Sequence, residues 1–310
     1  MHKEYNGRWS KCQEVSTLVD VSYLQTGTTL TMFHNGIMVT DESKGRDYDI
    51  PRSWSRSEIT TFSNKSRSRL FKLLSNLRYN RLSEGLFVTL TYHYGHKKNH
   101  SELKKDLQAW LQYLRDNVKD VYYIWRLEFQ KRGAIHYHVM VFTPRGNSAL
   151  QSEKIQTGLS QAWHRIADPE SDAHGQYGTQ VKLIDNYKMA ICYLSKYVAK
   201  VDQENEQEYT GRRWGASRNI PVSAYADITV SWKLHNILRE IIQLILTPVL
   251  GRQHKFVVNL TEFKSVYAYI SPGRFLDALL EFKPPPSILQ EYNRFTNIFR
   301  DFYEEIAFNF

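Results

Sequence analysis

Cysteine is scarce: the 310 residues carry two, Cys12 and Cys192. Two thiols so far apart form neither a metal-ligand spacing nor a disulfide framework, which points to a reducing cytoplasm. Long apolar runs are lacking as well. The longest, WKLHNILREIIQLILTPVL, is broken by Lys233, His235, Arg239, Glu240 and Gln243. It is too interrupted to span a bilayer and reads as an amphipathic helix. The first residues, MHKEYNGRWSKCQEV, hold no apolar signal core. No GxxxxGK[ST] phosphate loop, internal repeat or low-complexity tract occurs. Acidic residues fall short of basic ones, 32 against 41, leaving a net charge of +9. That imbalance points away from membranes and towards a polyanionic partner.

Aromatic residues are plentiful, at 14% with 20 tyrosines. They suit packed β structure and stacking on bases. Strands are expected in TTLTMF and GIMVT around a His34-Asn35-Gly36 turn. A basic helix follows, with Leu70, Phe71, Leu73, Leu74 and Leu77 as its apolar residues. Arg67, Arg69, Lys72, Arg78 and Arg81 decorate it, as a phosphate-contacting surface or an ordinary solvated face. GLFVTLTYHY holds a strand from Phe87 to Tyr92. SELKKDLQAWLQYLRDN places Leu103, Leu107, Trp110, Leu111 and Leu114 at helical spacing. Strands VYYIWRLEFQ and AIHYHVMVF, a helix in QSEKIQTGLSQAWHRIA, a strand in TQVKLI and a helix in NYKMAICYLSKYVAK complete the series. Asp185 or Asn186 caps the last helix. The order predicts an α+β domain on an antiparallel central sheet with flanking helices. It is assigned to residues 60–232, between an N-terminal extension (1–59) and a C-terminal helical and β extension (233–310). The latter holds a hairpin in KFVVNLTEFKSVYAYI and a break at Pro284-Pro285-Pro286.

His136 and His138 stand two apart on an expected strand, so both imidazoles project from one face. A lone histidine on a sheet is usually structural, and a pair at this spacing is a candidate metal pair. If Lys131-Arg132-Gly133 form a three-residue hairpin loop, Gln130 faces Ala134 and Glu128 faces His136. Cross-strand partners share a face and sit about 5 Å apart. This register gathers two imidazoles and a carboxylate; a slip of one residue would turn Glu128 away. Such a set leaves coordination positions open for substrate oxygens, and by itself it does not choose the metal. Two histidines and a carboxylate also describe non-haem iron oxygenases, an alternative to be weighed.

In NYKMAICYLSKYVAK, Tyr193 and Tyr197 are four apart and share a helical face, with Lys196 and Lys200 beside them. Ile191, Leu194 and Val198 form the apolar stripe. On their own these are ordinary surface residues of a basic protein. Their chemical potential is specific, however. A phenol, with a pKa near 10, is a poor nucleophile until lysines or a metal stabilise its anion. Attack on a phosphodiester would then give a phosphotyrosine ester and a free 3′ hydroxyl.

Taken together, FVTLTY, HYHVMVF and YLSKYVAK resemble the three ordered motifs of the HUH superfamily of rolling-circle replication initiators. The arrangement is most similar to the replication-associated proteins of small phages and plasmids, of the two-tyrosine type. The resemblance covers roughly residues 60–232. It implies an HUH endonuclease (RRM-like palm) fold. His136 and His138 would bind a divalent ion, Mg2+ or Mn2+, with Glu128 as third ligand. Tyr193 and Tyr197 would be the nucleophiles, and Lys196 and Lys200 would contact phosphate or activate tyrosine. GRRWGASRNIP, around Trp214 and Gly215, looks like a segment that follows the tyrosine helix in such proteins. The implied partners are single-stranded or supercoiled origin DNA and a host helicase and polymerase, in the cytoplasm of a bacterial host and without a membrane. The nearest alternatives are a transposase or relaxase of the same chemistry, and a non-catalytic single-stranded nucleic-acid binding protein.

Overall fold

The computed structural model describes residues 28–41, 59, 62–93, 99–130, 134–184, 209–223, 225–246, 257–260, 265–268 and 272–308. In chain order the elements are β1 (Thr28–Phe33), β2 (Gly36–Asp41), α1 (Asn64–Ser75), β3 (Gly85–Thr91), α2 (His100–Asn117), β4 (Tyr122–Phe129) and β5 (Ile135–Phe142). These are followed by α3 (Glu153–Ala167), α4 (Asp172–Tyr177), β6 (Thr179–Ile184), β7 (Trp214–Ala216), β8 (Ala226–Val230) and α5 (Trp232–Leu246). The last are β9 (Val257–Leu260), β10 (Ser265–Ala268), α6 (Pro272–Glu281) and α7 (Leu289–Phe308). The fold is α+β with two antiparallel sheets, as expected in class. It divides into two compact units, residues 49–223 and residues 1–48 with 224–310.

The unit of residues 49–223 carries the sheet β6-β3-β5-β4-β7, with every pairing antiparallel. Side chains alternate across it. Leu86, Val88 and Leu90 of β3 turn to one face with Ile135, Tyr137 and Val139 of β5, where α2 and α3 cover them. Helix α2 begins with a capping box: Asn99 accepts from Ser101 and Glu102 backbone N–H groups, and the Glu102 carboxylate accepts from Asn99 N–H. Its apolar stripe, Leu103, Leu107, Trp110, Leu111 and Leu114, is buried in full as the spacing predicts. Trp110 has no exposed surface, and its indole N–H donates to the Leu159 carbonyl of α3 at 3.0 Å. That bond locks the two helices together over the sheet.

The other face carries Phe87, Thr89 and Thr91 of β3, His136 and His138 of β5, and Arg126 and Glu128 of β4. Phe62 lies against it, with the Arg126 guanidinium 4.5 Å from the ring centre. Ser66 of α1 accepts the Trp214 indole N–H at 2.9 Å. The basic helix differs from expectation at three residues. It ends at Ser75, capped by the Asn76 backbone N–H, so Arg78 and Arg81 lie beyond it. Arg67 is 3% exposed. Its Nε donates to the Phe62 carbonyl at 2.9 Å, and its guanidinium stacks over that ring at 5.1 Å. It is a packing residue, because a planar guanidinium satisfies a ring face and a carbonyl at once.

The second unit is built from both ends of the chain. Its sheet order is β8-β1-β2-β10-β9. β1 and β2 form the expected hairpin, closed by the pair Phe33 and Gly36. The expected KFVVNLTEFKSVYAYI hairpin appears as β9 and β10, and β10 pairs with β2. The segments 1–59 and 233–310, expected as separate extensions, thus contribute strands to one sheet. Leu30, Met32 and Ile37 pack with Leu234, Leu238 and Ile241 of α5, and with Phe275 and Phe299 of α6 and α7. The last two rings meet edge to face, with centres 5.0 Å apart. Among the described residues no helix is long and apolar enough to cross a membrane.

Candidate functional site

The hairpin of β4 and β5 sets the candidate site. Gln130 N–H donates to the Ala134 carbonyl at 2.8 Å, and Phe129 pairs with Ile135. Glu128 then stands opposite His136, and Arg126 opposite His138. This is the register that a three-residue connection requires, although residues 131–133 lie outside the described residues. The strand alternation explains the residue between the histidines. Tyr137 points to the opposite, helix-covered face, is 1% exposed, and donates its hydroxyl proton to the Leu103 carbonyl at 3.2 Å. Burial there pushes its pKa up, so this phenol serves packing and not chemistry.

On the site face the two imidazoles stack, with centres 5.9 Å apart and planes inclined by 20°. Each is held from the neighbouring strand β3. Thr89 pairs with His138 and Thr91 with His136. Thr89 Oγ1 lies 3.3 Å from His138 Nδ1, and Thr91 Oγ1 lies 3.1 Å from His136 Nδ1. His138 Nε2 meets Glu128 Oε2 at 2.9 Å. A carboxylate only accepts, so Nε2 donates and, in the neutral ring, Nδ1 accepts from the Thr89 hydroxyl. The Phe87 ring, 5.6 Å from His138, closes one side. Arg126, 2% exposed, is the cross-strand neighbour of His138 and shares the face with Glu128.

The donor set fits a divalent ion by its chemistry. Two imidazoles and a carboxylate share one face, and each Nδ1 is engaged by a hydroxyl, as the outer nitrogen of a metal-ligating histidine ordinarily is. His136 Nε2 is shielded from solvent. Among the described residues no group of three or more His, Cys, Asp or Glu side chains stands in formed ligating geometry. Metal entry would replace the proton between His138 Nε2 and Glu128 and turn the Thr89 hydroxyl into an acceptor of Nδ1–H.

The other expected site residues, Tyr193, Tyr197, Lys196 and Lys200, lie outside the described residues. Sequence reasoning does not single out Thr89 and Thr91. Their only signal is the alternation T-L-T in FVTLTY, which has meaning once β3 is known to lie beside β5. Arg126 gives no signal beyond its position two residues before Glu128.

Residues 85–202 match the family model of replication-associated protein ORF2. The matched stretch is less than half of the chain. It starts with β3, spans the Glu128, His136 and His138 face, and takes in the Tyr193–Lys200 segment. The match supports a role in replication. Comparison with curated proteins and with solved structures gives no match.

Proposed function

We propose that the chain is a rolling-circle replication initiator, a metal-dependent endonuclease that nicks one DNA strand and stays joined to it through a tyrosine. One coincidence carries the reading: the replication-associated family match spans the stretch in which Glu128, His136 and His138 share a sheet face. The basic surplus of the chain agrees with a nucleic-acid substrate.

His136, His138 and Glu128 would hold the ion, Mg2+ or Mn2+. When bound, it polarises the scissile phosphodiester and balances charge as phosphorus becomes five-coordinate. Tyr193 or Tyr197 supplies the attacking phenol oxygen. Its bond to phosphorus forms as the bond from phosphorus to the 3′ oxygen breaks. The phenol loses its proton and the 3′ oxygen gains one, leaving a 5′-phosphotyrosine ester and a 3′ hydroxyl. One phosphodiester replaces another, so the step is reversible. Lys196 and Lys200 draw in the phosphate and favour the phenolate. A second tyrosine allows a second transfer, which cuts again and reseals. The substrate is single-stranded or supercoiled origin DNA, and unwinding and synthesis fall to a host helicase and polymerase in a bacterial cytoplasm.

The test is incubation of the full chain with a supercoiled origin plasmid and Mn2+. The expected products are relaxed circles carrying protein that survives denaturation. A passive single-strand binder would yield neither, and that outcome overturns the reading. Mass spectrometry of the adduct would identify the attacking tyrosine. A transposase or relaxase would form the same adduct; the replication-associated match favours initiation. That match also weighs against an iron oxygenase, which would have no use for a nucleic-acid substrate.

A further inference from the structure

We propose that His174 and Trp163 are positioning residues for the His136 imidazole, acting through the carbonyl of Thr91; this rests on the metal-centre reading above. The pairing of β6 with β3 ends at Leu90 and Thr179, while β5 continues to pair with Thr91. The Thr91 backbone groups on the β6 side therefore lie past the end of the ladder. They are held all the same. Thr91 N–H donates to the Gly178 carbonyl at 2.8 Å. The Thr91 carbonyl accepts the Trp163 indole N–H at 3.2 Å and His174 Nε2–H at 2.9 Å. A carbonyl oxygen has two lone pairs, so both are engaged.

These donors are set in dry surroundings, where hydrogen bonds are strong and a lost partner is costly. Trp163 has no exposed surface and His174 is 4% exposed. The histidine is seated closely on α4. A side-chain carbon at Gly178 would fall 2.7 Å from His174 Nε2 and 2.5 Å from the His174 carbonyl. Glycine at 178 is thus a condition for the imidazole to reach Thr91. The consequence runs along one residue. Thr91 presents its carbonyl to the α3–α4 corner and its hydroxyl to His136 Nδ1 at 3.1 Å. Fixing the carbonyl fixes the strand end, and with it the hydroxyl that sets the tautomer and tilt of His136. Loss of outer partners of ligating histidines typically weakens metal binding about 10- to 100-fold.

The test compares His174→Phe, which keeps the ring's bulk and loses the donor, with His174→Gln, which can donate. Three readouts are taken on the full chain: the 15N NMR tautomer state of His136 without metal, Mn2+ affinity, and nicking of origin DNA. In His174→Phe, mixed His136 tautomers and about tenfold weaker Mn2+ binding are expected, with recovery in His174→Gln. A folded His174→Phe with an unchanged His136 signal and Mn2+ affinity within about twofold of wild type would overturn the proposal. Should His174→Phe fail to fold, Trp163→Phe removes the second donor to the same carbonyl and is read in the same way. The metal-centre reading fails separately, if His136→Ala leaves Mn2+ affinity intact. The tautomer readout still decides the clamp in that case.

Discussion

Glu128 Oε2 lies 2.9 Å from His138 Nε2, on the diagonal from its direct cross-strand partner His136. The carboxylate is thereby tied to one imidazole and adjacent to the other. Both rings are held on their far nitrogens by threonine hydroxyls of β3. Polar contacts across three strands thus converge on a small patch of one sheet face.

His136→Ala or His138→Ala should abolish Mn2+-dependent nicking and leave duplex binding nearly intact, because phosphate contacts dominate affinity for DNA. Gel assays of nicking, run beside salt-dependent binding curves, check this. Parallel loss of both activities would instead mark the histidines as structural.

Thr89→Val and Thr91→Val keep the β-branched shape that a strand favours and delete only the hydroxyl. Each should weaken Mn2+ binding and activity about 10- to 100-fold with a small change in stability. Isothermal titration alongside thermal melting separates the two effects. A variant that binds Mn2+ as tightly as wild type would show that the hydroxyl does not orient its histidine.

Tyr193→Phe together with Tyr197→Phe should leave DNA binding in place and remove the covalent adduct, since phenylalanine has no nucleophilic oxygen. Electrophoresis of labelled oligonucleotide under denaturing conditions reads the result. An adduct that persisted in the double variant would overturn both nucleophile assignments.

Stability should fall on acidification through the histidine range. Burial pushes the His174 imidazole below its ordinary value of 6.5; the hydrogen bond to Thr91 and the Asp168 charge oppose this, while His164 and His93 add to it. A depressed folded pKa means that the unfolded chain binds the proton first. The contribution is therefore complete above about pH 6.5 and is lost as pH falls through the folded value. Urea unfolding at a series of pH values should show this decline, and His174→Phe should flatten it. An unchanged slope in that variant would assign the pH dependence to other groups.

Much of the site face is legible before any tertiary structure. The i, i+2 spacing of His136 and His138 and the length of the connection after Gln130 are enough to place Glu128 opposite His136. A hairpin register is a local property, set by loop length and side-chain alternation. The stripe of α2 is legible for the same reason, as one helical period without interruption. Arg67 reads from its neighbours as a surface cation, because nothing in its local sequence shows that Phe62 folds back beneath it.

The sequence by itself determined the class of the fold, the strands and helices with regular apolar periods, and the register of the β4–β5 hairpin. All of these depend on residues close together in the chain. Tertiary structure alone decided that β3 lies beside β5, so that Thr89 and Thr91 reach the imidazoles. It also decided that His174 and Trp163 meet at Thr91, and that β1 and β2 pair with β8 and β10 across nearly the whole chain. Those neighbours depend on which buried faces fit one another after collapse, a property that no single segment carries.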